Sequence, residues 1–269
     1  KTNNITLTTD SDCEIIIHMY KLYGIEYTLN ILDGVFSFIL YDKEIDTLYI
    51  SRDPYGVRPL YYFTENKFYA FSSELKSIYD FTISKHLIKN FEPGTYLILS
   101  NVQKNITSKL KKYTKFPFTN NIYHESQYSD LYQTLVNKLT NAVKKRVIGT
   151  TERPIACLLS GGLDSSLIAA IVKKIIPENI ELETYSIGLE GSEDLKYSKL
   201  VADHIKSKHT QIIMSNEEFL NSIPNVIYDI ESYDTTTVRA SVGNYLIGKY
   251  IKAHSNAKVI FNGGKLENR

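Results

Sequence analysis

The chain has 269 residues, 43% of them hydrophobic, and 31 lysines and arginines set against 30 aspartates and glutamates for a formal net charge of +1. That length suits two modest domains, each with its own core, and the even balance excludes the basic or acidic surplus expected of a nucleic-acid or membrane-surface partner. Cys13 and Cys157 lie far apart, which excludes a disulfide framework and a structural zinc site, and no apolar run approaches the roughly 20 residues that cross a bilayer, so a cytoplasmic protein is expected.

Residues 1–112 read as an α+β domain. Asp12 is placed to cap a helix whose apolar residues Ile16, Ile17, Met19, Tyr20 and Tyr23 recur at three- and four-residue steps. Stretches rich in aromatic and β-branched residues follow at Val35–Tyr41, Leu48–Ser51, Leu60–Phe63, Phe68–Ser72 and Thr95–Leu99. Asp, Gly, Pro and Asn separate them, the punctuation of antiparallel sheet. From Leu110 to Ser126 periodicity is lost and Lys, Pro, Asn and Thr gather, which places a linker over residues 113–128.

A second domain, 129–269, opens on a helix started by Ser129 or Asp130, with Leu131, Leu135, Leu139, Ala142 and Val143 on one face. Strand Ile155–Leu159, helix Ser165–Lys174, strand Glu183–Ile187, helix Asp194–Lys206, strand Thr210–Met214 and a long helix after Arg239 then alternate. Such alternation predicts an α/β domain, a parallel sheet covered by helices on both faces.

The most informative stretch is Leu158-Leu159-Ser160-Gly161-Gly162-Leu163-Asp164-Ser165-Ser166, set where a parallel strand ends and a helix begins. Its glycines let the backbone turn tightly beside a phosphate, and the first helical N–H groups favour an anion there. Ser160, Ser165 and Ser166 add hydroxyls. Asp164 would be repelled by bare phosphate, so its natural role is to hold a bridging Mg²⁺. A Walker A loop would carry a lysine after the second glycine, and this one does not. The bland alternative is a serine-rich helix cap.

The stretch resembles the pyrophosphate loop of the ATP pyrophosphatase superfamily, which cleaves ATP between its α- and β-phosphates. Tyr185-Ser186-Ile187-Gly188-Leu189-Glu190-Gly191-Ser192 resembles the adenosine-binding segment of asparagine synthetases, implying that Ile187 and Gly188 read adenine. Glu231-Ser232-Tyr233-Asp234-Thr235-Thr236-Thr237-Val238-Arg239-Ala240-Ser241 resembles another segment of that family, implying that Thr236, Thr237 and Arg239 act near the phosphates. For Arg239 a surface ion pair is the competing reading. Asn262 and Gly263 close the implied ATP site at the end of the strand Val259–Gly263.

Residues 32–38, 52–62 and 71–76 resemble successive stretches of a class II glutamine amidotransferase domain, of the N-terminal-nucleophile type with antiparallel sheets. In that resemblance Asp12 matches the carboxylate that holds the α-amino group of glutamine, a role compatible with capping a helix. The second half is similar to the adenine nucleotide α-hydrolase fold. Together they imply a glutamine-hydrolysing asparagine synthetase, with aspartate, ATP and either glutamine or ammonia as small-molecule substrates, Mg²⁺ as cofactor, and a homodimer as assembly.

Two departures accompany the resemblance. The amidotransferase nucleophile is an N-terminal cysteine, whereas this sequence opens on Lys1; Cys13 is internal and reads as inert. The family strand ending at Gly263 continues into an acidic loop, whereas Gly264 and Lys265 follow here. The expectation is that the natural polypeptide extends beyond both ends and that residues are skipped at the Gly263–Gly264 or Gly264–Lys265 step. A related β-lactam synthetase and a nucleotide-binding protein without turnover remain the alternative readings.

Overall fold

A computed structural model describes residues 7–9, 11–114, 128–150 and 153–263, and the chain divides into two compact units, 1–120 and 121–269. Most of the expected linker, and the steps at Gly264 and Lys265, lie outside the described residues.

The first unit holds helix α1 (Glu14–Ile31), strands β1 (Ser37–Asp42), β2 (Thr47–Arg52), β3 (Tyr61–Glu65) and β4 (Phe68–Ser72), helix α2 (Leu75–Tyr79), and strands β5 (Lys89–Asn90), β6 (Thr95–Ser100) and β7 (Thr107–Lys112). These strands form two antiparallel sheets, ordered β1-β2-β6-β7 and β4-β3-β5. Alternation along β6 divides the core: Leu97 and Leu99 pack with Ile50, Leu60 and Phe91, while Tyr96 packs with Ile25 and Leu29 of α1. The first sheet therefore has an apolar cluster on each face. Sequence reading misses β7, an edge strand rich in lysine, because charged edges lack an apolar period. Tyr113, which the sequence assigned to the linker, is buried in this core and donates its hydroxyl to the Arg52 carbonyl at 2.8 Å.

The start of α1 differs from expectation. Cys13, not Asp12, occupies the N-cap position, and no side chain caps the helix there. Glu14 reaches back instead and accepts from the Thr8 and Thr9 backbone N–H groups at 2.9 and 2.7 Å. Gly24, at φ 76° and ψ 172°, breaks the helix, and it is the second segment that buries Ile25, Thr28 and Leu29. Ile17 and Tyr23, expected on the apolar face, are about half exposed.

The second unit runs α3 (Tyr128–Ile148), β8 (Ile155–Leu158), α4 (Leu163–Ile175), β9 (Glu183–Gly188), α5 (Glu193–Ile205), β10 (Lys208–Ile213), α6 (Asn216–Ile230), α7 (Thr235–His254) and β11 (Val259–Phe261). The sheet is parallel, with order β10-β9-β8-β11. On one face Cys157 and Leu159 pack with Val143, Ala169, Val172 and Ala202 of α3, α4 and α5; on the other, Ala156, Tyr185 and Ile212 pack with Ile247 and Ile251 of α7. Of the expected α3 face only Val143 is buried, joined by Val147, which was not expected, while Leu131, Leu135 and Ala142 are exposed. Helix α6 was not read from the sequence, since Pro224 interrupts it, although Ser215 and Glu218 form a capping box at its start.

Candidate functional site

From β8 the chain moves outward through β9 to β10 and then returns to place β11 on the opposite side of β8. This reversal opens a crevice beyond the carboxyl ends of β8 and β11, the place where open parallel sheets collect ligands. A cavity of about 380 Å³ lies there, reached by the loop after β8 and by Asn262 and Gly263 after β11.

The loop is built by steric fit and by hydroxyls. Gly161 has φ +80°, and a Cβ on it would lie 2.6 Å from both the Ser198 nitrogen and Tyr197 Cβ, so glycine lets α5 close on the turn. Ser165 is buried; its Oγ lies 2.9 Å from Ser160 Oγ and accepts from the Ser160 N–H at 3.2 Å. Ser166 donates its hydroxyl back to the Gly162 carbonyl at 2.7 Å. These two hydroxyls thus hold the loop. Gly162 begins α4 with no side-chain cap, which leaves the first N–H groups of that helix directed at the crevice. Gly263 packs directly on this helix start: a Cβ there would lie 2.6 Å from Ser165 Cα.

Asp164 lines the cavity, is exposed, and has no hydrogen-bond or ion-pair partner among the described residues. No group of three metal-ligating side chains occurs among those residues. A lone carboxylate beside the uncapped start of α4 fits Mg²⁺, which takes one or two protein carboxylates and fills its shell with phosphate oxygens and water.

Among the residues expected from sequence, Leu158, Leu159, Ser160, Gly162, Asp164, Ser165, Ile187, Asn262 and Gly263 line this cavity together. Gly161, Ser166 and Gly188 flank it, and a Cβ on Gly188 would lie 2.7 Å from Ser192 Oγ, tying that glycine to the start of α5. Thr236, Thr237 and Arg239, at the start of α7, are not in the lining. There Asp234 accepts from the Thr237 N–H and hydroxyl, both at 2.8 Å, and these bonds hold its carboxyl below the ordinary range. Arg239 is exposed and pairs with no described carboxylate. Asp12 is exposed in the first unit, with the Cys13 thiol 3.7 Å from its Oδ1.

Leu163, Tyr185 and Ser186, which fall inside the two segments read from the sequence without being singled out there, also line it, and sequence reasoning missed Asn244 and Ile247. Ser186 rests on His209, whose Nε2 is 3.1 Å from Ser186 Oγ and whose Nδ1 is 2.9 Å from Thr184 Oγ1. Burial, with Lys199 nearby, lowers the pKa of His209. The alternation Thr184-x-Ser186 on a buried strand was the available signal for Ser186. Cys157 lies beneath the loop with its thiol pushed up to about 12 by burial, and is chemically inert.

The family model for asparagine synthase matches residues 134–264, and that for a glutamine amidotransferase domain matches residues 1–132. The human glutamine-hydrolysing asparagine synthetase is 40% identical over 277 residues, covering 95% of this chain and 48% of that protein. The chicken enzyme of the same name is 39% identical over 270 residues, covering 94% and 48% respectively. The chain thus spans about half the length of the curated relatives it matches. Among solved structures, the glutamine-dependent NAD⁺ synthetase of Acinetobacter baumannii covers 94% of this chain and 65% of its own, at 12% identity and a TM-score of 0.37.

Proposed function

Starting from a chain that belongs to the glutamine-hydrolysing asparagine synthetases, we propose that its second unit binds ATP in the β8–β11 crevice and activates aspartate as a β-aspartyl adenylate. The observation that carries this reading is the uncapped start of α4 beside the unpartnered Asp164 in one cavity. An anion is favoured at that helix start, and the carboxylate suits a cation shared with the phosphates.

In this reading the N–H groups after Gly162 and the Ser160 hydroxyl hold the β- and γ-phosphates, and Ile187 and Gly188 border the adenine. Mg²⁺ held by Asp164 would neutralise charge on the departing pyrophosphate. An oxygen of the aspartate side-chain carboxylate attacks the α-phosphorus, and the bond to the β-phosphate oxygen breaks. Arg239 and the hydroxyls of Thr236 and Thr237 would meet the developing charge once α7 and the substrate come together. Ammonia then attacks the activated carbonyl, loses a proton, and expels AMP to give asparagine. The first unit would supply that ammonia from glutamine, with Asp12 holding the substrate α-amino group.

A cytoplasmic location accords with two unpaired cysteines and with the lack of any helix, among the described residues, long and apolar enough to cross a membrane. Titration with Mg²⁺–ATP tests the nucleotide site. Wild type should bind, and Asp164→Asn should bind with most of its Mg²⁺ dependence gone while its circular dichroism is unchanged. Identical Mg²⁺ dependence in both proteins contradicts the assignment of Asp164.

A further inference from the structure

The cavity has two chemically distinct ends. At one lie the α4 start, Asp164 and Gly263, suited to anions. At the other, apolar Tyr185, Ile187 and Ile247 form the walls, with α7 lying against β9: a Cβ on Gly243 would sit 3.6 Å from Ile187 Cγ2. A triphosphate anchored at the first end directs its base toward the second.

Besides Asn262, next to Gly263, the lining holds one carboxamide, Asn244 of α7, the helix that lies against β9. The apolar residues Val242, Leu246 and Ile247 surround it in sequence, yet its side chain is exposed to the cavity rather than used for packing. Its Nδ2 makes only a long 3.4 Å bond to the Ala240 carbonyl, and its Oδ1 has no partner among the described residues. The hydroxyls near this end are already engaged, that of Ser186 with His209 and that of Tyr185 with Glu183, to which it donates at 2.7 Å.

We propose that Asn244 is a specificity-determining residue that reads the amino-purine edge of the bound nucleotide. Its Oδ1 accepts from the 6-amino group of adenine while Nδ2 donates to the adjoining ring nitrogen, the paired geometry in which asparagine recognises adenine elsewhere. A purine lacking the 6-amino group forfeits one of these bonds, and a 6-oxo purine turns the donor into an acceptor. The inference rests on the reading of the cavity as a nucleotide site and adds to it the residue that selects the base.

Equilibrium binding of two Mg²⁺ nucleotides, ATP and purine riboside 5′-triphosphate, tests it in wild type, Asn244→Leu and Asn244→Ala. The triphosphates are identical, so they differ only at the base edge. Wild type should prefer ATP by about tenfold or more; both variants should show a clearly smaller preference and should bind purine riboside triphosphate more weakly than wild type, because they also lose the Nδ2 bond to the ring nitrogen. Retention of the full ATP preference in Asn244→Leu and Asn244→Ala overturns the role of Asn244, as does a wild type that binds both nucleotides alike; in either case the nucleotide site itself stands. A wild type that binds neither triphosphate overturns the site reading and the inference with it. Position 244 is an exposed helix site, and both replacements favour helix, so matched thermal unfolding identifies the folded variants on which affinity is compared.

Discussion

Ser160 and Ser165 are joined across the turn between β8 and α4, their hydroxyl oxygens 2.9 Å apart, with the Ser160 N–H directed at Ser165 Oγ from 3.2 Å. Ser165 is buried, so Ser165→Ala leaves Ser160 without its partner and should cost about 1–2 kcal/mol. Ser166→Ala removes a single bond at a less buried position and should cost less than half as much. Urea unfolding of the two variants checks this, and equal losses would contradict the bracing role of Ser165.

The two loop glycines should respond very differently to alanine. Gly161 combines φ +80° with 2.6 Å approaches from α5, so Gly161→Ala should lose about 2–4 kcal/mol. Gly162 has φ −71°, and a Cβ there would meet Ser160 Oγ at an ordinary 3.4 Å, so its replacement should cost about 1 kcal/mol or less. Thermal unfolding midpoints would show the order reversed if the α5 contact does not govern this turn.

The phosphate loop was legible in the sequence because its parts are contiguous: strand, glycines and helix start all fall between Leu158 and Ser166. Asn244 and Ile247 were not, since they reach the same cavity from α7, a helix far along the chain. Pro224 concealed α6 and lysines concealed β7, each by breaking a local pattern that packing overrides. The early helix was legible, but its break at Gly24 was not, and the break passes burial to Ile25, Thr28 and Leu29.

His209 gives stability a defined pH dependence. Its ordinary value is 6.5, and burial lowers it in the folded protein. The unfolded chain therefore takes up a proton first as pH falls, so stability is level above about pH 7 and declines from 6.5 downward until the lowered folded value is passed. His209→Gln should remove this part of the slope. Unfolding free energies at intervals between about pH 5 and 8 test it, and an unchanged slope in the variant would sink the idea.

Buried Arg52 is the tie of the first unit's central turn. Its Nε donates to the Arg58 carbonyl at 2.8 Å, Nη2 to that of Gly56 at 2.7 Å, and Nη1 to Asn90 Oδ1 and the Phe91 carbonyl, both at 2.5 Å. Asp53 beside it accepts from the N–H groups of Tyr55, Val57 and Arg58, each at 3.0 Å. A lysine cannot reproduce that planar fork, so Arg52→Lys should cost about 2–4 kcal/mol. Chemical denaturation showing a loss below about 1 kcal/mol would place Arg52 with ordinary surface cations.

The proposed adenylation is tested most directly by identifying the products that the protein forms from Mg²⁺–ATP, aspartate and ammonium. AMP and pyrophosphate should appear in equal amounts, only when aspartate is present, together with asparagine, and Asp164→Asn should abolish all three. Formation of ADP and phosphate, or AMP release that ignores aspartate, would contradict the account.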